Sequence, residues 1–124
     1  MRFGYTILYV RDVAASVEFY ERAFDVERRL LHESGEYAEL ETGATALSFA
    51  SHELAAQNVP GHAETGGSSG FEVCFVTEDV AGGYRRAVDA GAEPVSEPAK
   101  KPWGQEVAYV RDPDGVLVEI ASPA

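Results

Sequence analysis

The hydrophobic and polar positions of the first 50 residues predict one helix among four strands. Residues 3–10 (FGYTILYV) are rich in β-branched and aromatic side chains, which are typical of a strand. Asp12 can then cap a helix over about residues 14–24, whose buried stripe is marked by apolar side chains at helical spacing. That stripe consists of Val13, Val17, Tyr20 and Phe24. Further strands are predicted over residues 26–31, 36–41 and 45–50.

Residues 51–69 interrupt this pattern. The segment contains Pro60, three glycines and several serines, and it has no sustained hydrophobic period. We therefore predict a long connection, with one short helical turn near residues 53–57.

The second half of the chain shows the same order of elements. Residues 71–76 (FEVCFV) predict a strand, Asp79 caps a helix that runs to about Ala90, and Gly91 ends it. The remaining strands are predicted at residues 93–95, 107–111 and 116–121. The run Asp112-Pro113-Asp114-Gly115 predicts a type I turn between the last two, because proline is favoured at its second position and glycine at its fourth.

A shift of 67 residues superimposes the two halves, carrying Asp12 onto Asp79 and Val13 onto Val80. The sequence therefore predicts one α+β domain over residues 1–124, built from two βαβββ modules in tandem. Its parts are module 1 at about residues 1–50, the connection at about 51–69 and module 2 at about 70–124. Because the helix of a module covers only one face of its sheet, the other face must meet a second copy or a ligand.

Composition and charge narrow the classes of function. A single cysteine, Cys74, excludes an intramolecular disulfide and a cysteine zinc cluster. No run of 18 apolar residues occurs and the first residues lack the apolar stretch of a secretory signal, so we expect a cytoplasmic protein. The net charge of −11, from 21 acidic and 10 basic residues, disfavours nucleic acid and acidic membranes as partners and favours a cationic small molecule.

Three motifs, in this order, resemble those of a known family. They are Val10-Arg11-Asp12-Val13, then Ser16-Val17-Glu18-Phe19-Tyr20, and Asp112-Pro113-Asp114-Gly115-Val116-Leu117-Val118-Glu119-Ile120. The chain resembles, over essentially its whole length, the glyoxalase / bleomycin-resistance / extradiol-dioxygenase family, the vicinal oxygen chelate superfamily. The resemblance implies paired βαβββ modules whose sheets curl around a central cavity, usually within a homodimer.

The resemblance also implies a divalent metal in that cavity, held by His, Glu or Gln side chains. Carried over residue by residue, the four ligand positions are Tyr5, Ser48, Phe71 and Glu119. Of these, only Glu119 is a competent ligand, whereas a catalytic metal site needs three protein ligands. We therefore expect no metal and no other cofactor. The histidines do not supply the missing ligands, since His32 is placed at a strand end and both His52 and His62 are expected to be exposed in the connection.

Strand alternation assigns side chains to the cavity. The predicted lining consists of Tyr5, Tyr9, Phe71, Phe75, Trp103 and Tyr109, with Glu119 at the floor. Cys74 is expected to point toward a helix. Aromatic walls with few polar anchors are typical of a site for an organic molecule, and aromatic rings beside a carboxylate suit a cationic or flat heteroaromatic one. The alternative for the aromatic side chains is that they simply fill a core.

These observations predict a metal-independent binding protein of the bleomycin-resistance type, which sequesters an aromatic or cationic organic ligand and so confers antibiotic resistance. One alternative is a lyase, isomerase or dioxygenase that uses Glu119 as a base with an atypical or absent metal site. A second is a partner or regulatory module whose cavity is vestigial.

Overall fold

The computed structural model describes residues 3–58, 60, 62 and 71–124, and it folds them into two four-stranded mixed sheets with helices. In chain order the elements are β1 (Tyr5–Val10), α1 (Val13–Phe24), β2 (Glu27–Leu31), β3 (Tyr37–Glu41), β4 (Ala46–Ser51), α2 (His52–Asn58), β5 (Val73–Val76), α3 (Val80–Asp89), β6 (Glu93–Lys100), β7 (Glu106–Arg111) and β8 (Leu117–Ala121). By internal contacts the chain forms two compact units, Met1–Glu21 with Asp25–Thr65 and Arg22–Phe24 with Gly66–Ala124. The described residues contain no helix long and apolar enough to cross a membrane.

The two sheets have the same topology, which confirms the predicted α+β fold and its internal repeat. Their strand orders are β1-β4-β3-β2 and β5-β8-β7-β6. In each sheet the first pair is parallel and the other two pairs are antiparallel. The helix caps repeat as well, since Asp12 Oδ1 accepts from the Ala15 amide at 3.0 Å and Asp79 Oδ1 accepts from the Gly82 amide at 2.9 Å.

Loss of the second cap should weaken the fold measurably. Replacing Asp79 with alanine leaves the first-turn amides of α3 without a side-chain acceptor, and we expect the free energy of unfolding to fall by about 1 kcal/mol. Urea unfolding followed by circular dichroism measures the change. Glu78→Ala removes the adjacent exposed carboxylate and should cost less than about 0.5 kcal/mol, so an equal loss in both variants would contradict the role of the cap.

In the first unit, α1 packs on one face of its sheet. The ring of Tyr20, fully buried, lies 4.9 Å from that of Phe49 on β4. Leu8, Val10 and Leu40 alternate onto the same face and are almost completely buried. Tyr37, Glu39 and Ser48 alternate onto the opposite face of this sheet.

In the second unit, α3 covers one face of the sheet in the same way. Val118 and Ile120 are buried beneath it. The contact is close at Gly83, where an added Cβ would lie 3.3 Å from Ile120 Cγ2, so the small residue allows helix and strand to approach. The ring of Phe75 lies on this side too, stacked on Phe24 with ring centroids 4.7 Å apart.

Two elements differ from the sequence-based expectation. The connection begins with the two-turn helix α2, longer than the predicted turn at residues 53–57, and the rest of the connection apart from residues 60 and 62 lies outside the described residues. Strand β6 runs to Lys100 although the pattern predicts it only over residues 93–95. It is an edge strand whose register shifts around Pro94 and Ser96, and an edge tolerates prolines that a central strand would exclude.

The turn between β7 and β8 is the predicted one. The Gly115 amide donates to the Asp112 carbonyl at 2.9 Å, and Gly115 has φ of +87°, which favours glycine. Asp112 is 5% exposed, and its Oδ1 accepts from the amides of Asp114 and Val116 at 2.9 and 2.8 Å. The motif thus fixes where β8 begins and which of its side chains face α3.

Candidate functional site

The face of the second sheet that α3 leaves uncovered carries an acidic cluster. In register, Glu119 on β8 lies between Cys74 on β5 and Tyr109 on β7. Glu72 precedes Cys74 by two residues and therefore points to the same face. We call the group formed by Glu72, Cys74, Tyr109 and Glu119 the second open face.

The two carboxyl groups of this face are in direct contact. Glu72 hydrogen-bonds Glu119, and this bond, together with burial and the negative charge of Glu119, raises the pKa of Glu72 above its usual value. Two carboxyl groups can share a hydrogen bond only when one of them carries a proton. The pair therefore holds a proton at a higher pH than an isolated glutamate does.

The charges of the carboxyl pair also raise the pKa values of the neighbouring thiol and phenol. Partial burial, then the charges of Glu119 and Glu72 and a hydrogen bond to Glu119, raise the pKa of Cys74 to about 11. Burial and these carboxylates also raise the pKa of Tyr109. Both groups are therefore neutral at physiological pH, and the negative charge of this face resides on the carboxyl pair.

The sequence-based assignment of the β5 side chains to the two faces of the sheet was wrong. Phe75 pairs with Ile120 on the helix side of the sheet, whereas Cys74 lies beside Glu119 and is exposed. Phe71 precedes the strand and is 48% exposed. The 67-residue shift itself carries the signal that was missed, because it places Tyr5 on Glu72 rather than on Phe71.

The uncovered face of the first sheet is lined by the residues that alternate away from the core. In register, Ile7 on β1 and Glu39 on β3 flank Ser48 on β4. We call this the first open face, and its members are Tyr5, Ile7, Tyr9, Tyr37, Glu39 and Ser48. Tyr5 and Tyr9 are 59% and 41% exposed and lie on this face as the alternation predicts.

Ser48, by contrast, is completely buried and lies within a hydrogen-bonded group. The Tyr37 hydroxyl donates to Glu39 Oε2 at 2.7 Å and lies 3.2 Å from Ser48 Oγ. Burial is the main reason that the pKa of Tyr37 is raised. Ser48 thus supports the tyrosine and glutamate beside it, and a ligand would meet those two side chains first.

The two histidines of the connection are not isolated exposed side chains, contrary to expectation. His52 Nδ1 lies 3.0 Å from His62 Nε2, at hydrogen-bond distance, and both residues are half-buried. The His62 ring also meets Tyr9 edge-on, with centroids 5.0 Å apart. This contact extends the first open face toward α2. His32, at the end of β2, is exposed and hydrogen-bonds Ser34 at 2.8 Å.

Trp103 lies in the turn before β7 and is 69% exposed. Its Nε1 donates to Gln105 Oε1 at 2.9 Å, and Gln105 in turn donates to the Ser122 carbonyl at 2.8 Å. An exposed indole held in place by a hydrogen-bonded neighbour is a ready contact for an aromatic molecule.

The donor set does not fit the metal that the family resemblance implies. Within the described residues, no three His, Cys, Asp or Glu side chains are grouped so that they could hold an ion. Glu72 and Glu119 provide two carboxyl groups, and the neighbouring thiol of Cys74 stays protonated. A catalytic metal site normally takes three protein ligands and leaves a position open, so we derive no chemistry through a metal here.

One family model matches almost the whole chain. The sequence profile described as the Glyoxalase/Bleomycin resistance protein/Dioxygenase superfamily matches residues 2–120. The uncharacterized protein YraH of Bacillus subtilis (strain 168) is 33% identical over 117 residues, which cover 91% of each chain.

Solved structures show the same fold. A glyoxalase-related enzyme from Fulvimarina pelagi superimposes with a TM-score of 0.88 at 24% identity, covering 99% of this chain and 88% of that one. A glyoxalase/bleomycin resistance protein/dioxygenase family enzyme from Burkholderia phytofirmans PsJN gives a TM-score of 0.82 at 25% identity, with 95% of each chain covered.

Proposed function

The chain belongs to the Glyoxalase/Bleomycin resistance protein/Dioxygenase superfamily, and we propose that within it this protein binds and sequesters a small aromatic or cationic organic molecule without a metal ion. The observation that carries the proposal is the carboxyl pair Glu72–Glu119 beside Tyr109 on an uncovered sheet face, with no third acidic or histidine ligand grouped with it in the described parts of the chain. Under this proposal the protein is a homodimer, and the molecule that it binds is the small organic ligand.

The chemistry of the second open face supports a cation as the ligand. When Glu72 loses its proton, two adjacent carboxylates face each other, and a positively charged group between them relieves their repulsion. The ring of Tyr109 stands next in register and offers a π face to the same cation. The exposed ring of Trp103, in the same compact unit, supplies apolar surface for the rest of an aromatic ligand.

The test is a calorimetric titration of the purified protein against aromatic and cationic natural products, bleomycin and mitomycin among them. We expect a compound to bind with a dissociation constant of about 10 μM or tighter, equally in EDTA and in added divalent metal. Binding that requires the metal, or no binding by any compound of the set, would contradict the proposal.

One observation favours the enzymatic alternative, a glyoxalase-like lyase or isomerase or a dioxygenase. Glu72 holds the proton of the hydrogen-bonded pair, which leaves the Glu119 carboxylate to take a proton from a substrate and return it to the product. The two functions are separated by recovering the bound compound after incubation and recording its NMR spectrum. An unchanged compound supports sequestration, whereas a new product whose formation Glu119→Gln abolishes, with binding retained, would establish the enzyme.

A further inference from the structure

A groove of about 750 Å³ runs along α3, and it belongs to neither open face. Its lining consists of Arg22, Gly82, Arg85, Arg86, Asp89 and Ala90. All six residues belong to the same compact unit, since the end of α1 groups with the second one. A groove of this volume is large enough for a small organic molecule.

The lining is basic in a strongly acidic protein. Three of the chain's eight arginines meet here, with Asp89 as the one acid of the lining, although the net charge is −11. Two arginines outside the groove, Arg28 and Arg29, are each paired with a glutamate at 2.8 Å. The lining of the groove carries a net positive charge in a protein whose net charge is −11.

One of the three side chains is held in place. Arg86 Nε donates to the main-chain carbonyl of Arg22 at 2.7 Å, which joins the end of α1 to α3 and fixes the plane of that guanidinium. Arg85 and Arg22 are exposed at the rim, and neither makes an ion pair with an acid of the described part of the chain. A fixed guanidinium loses less conformational entropy when it binds a ligand.

We propose that this groove is a binding site for a phosphate-bearing small molecule. Guanidinium groups bind phosphate and carboxylate through paired, charge-assisted hydrogen bonds. Phosphate is favoured here because one phosphate group can carry close to two charges and three acceptor oxygens, which the several arginines of the lining can satisfy. The site is independent of the proposed function of the open faces, and it gives this protein a second ligand of opposite charge.

The test uses pyrophosphate as the probe and the full chain at physiological ionic strength. Titration with pyrophosphate, followed by NMR of the arginine Nε–Hε groups, should show saturable binding with a dissociation constant below about 1 mM. The resonances that shift should be those of Arg22, Arg85 and Arg86. Arg85→Gln and Arg22→Gln should each weaken binding about fivefold, because each removes one guanidinium that is exposed and so dispensable for folding. Lys100→Gln removes one positive charge from the same unit outside the groove and should change binding less than about twofold.

Three outcomes would overturn the proposal. An equal loss in Lys100→Gln and Arg85→Gln would mean that pyrophosphate only responds to overall charge, and so would the absence of saturation up to about 5 mM. Citrate, a tricarboxylate, serves as a second probe in the same titration. Tighter binding of citrate than of pyrophosphate would assign the groove to carboxylates and exclude the phosphate-bearing ligand.

Discussion

Alkylation of Cys74 by iodoacetamide should follow a pH–rate profile with its inflection near pH 11, instead of near 9 for an ordinary cysteine. The thiolate is the reacting species, and partial burial together with the charges of Glu119 and Glu72 disfavours it. Because Cys74 is the chain's one cysteine, loss of free thiol measures this site directly.

The rate at pH 8 should be about tenfold below that of a free thiol such as glutathione. A two-unit rise in pKa lowers the thiolate fraction about 100-fold, and the greater nucleophilicity of a more basic thiolate returns about one factor of ten. A profile with its inflection below pH 9.5 would contradict the arrangement described for the second open face.

Variants separate burial from charge as the cause. Glu119→Gln removes the negative charge beside the thiol, so the pKa of Cys74 should fall, yet remain above 9 because burial persists. Glu106→Gln is the matched control, since this exposed acid of β7 alternates to the other face of the strand and should leave the profile unchanged. An unchanged profile in Glu119→Gln would mean that the two side chains are not in contact.

The fold follows from the sequence because several local signals agree with one another. The caps Asp12 and Asp79 and the helices that follow them recur 67 residues apart, and the turn at Asp112 closes the hairpin between β7 and β8. Strand β6 contains two prolines, which strands normally avoid. Its position at the edge of the sheet explains why they are tolerated, and that position is a property of the whole sheet.

The site is less predictable because a shift of one residue exchanges the two faces of a strand. The run FEVCFV has no polar residue after Glu72, so its pattern does not tell which side is buried. Alternation counted from Phe71 places Phe75 on the face away from α3, whereas the register with β8 places Cys74 on that face, beside Glu119. The contact between His52 and His62 depends on a ten-residue separation within an irregular segment, which no periodicity encodes.

If the carboxyl pair receives a cation, the affinity for benzyltrimethylammonium should rise with pH. This probe is aromatic and its charge does not titrate, so any pH dependence belongs to the protein. Below the raised pKa of Glu72 the cation must displace the proton that the pair holds, and the association constant should increase about tenfold per pH unit. Above that pKa the pair is already ionised, and the affinity should become constant.

Calorimetry in two buffers of different ionisation enthalpy measures the same coupling as released protons, which should approach one per ligand below the raised pKa of Glu72 and fall to none above it. Glu72→Gln removes the titrating partner, so its affinity should be weaker at pH 8 and flat across the range, whereas Glu106→Gln should keep the slope of the natural protein. Since the hydrogen bond and charge of Glu119 supply part of the Glu72 shift and burial supplies the rest, the rise should move to lower pH in Glu119→Gln. A slope that stays as it is in the natural protein in either variant would place the displaced proton on some other group and remove the carboxyl pair from the binding site.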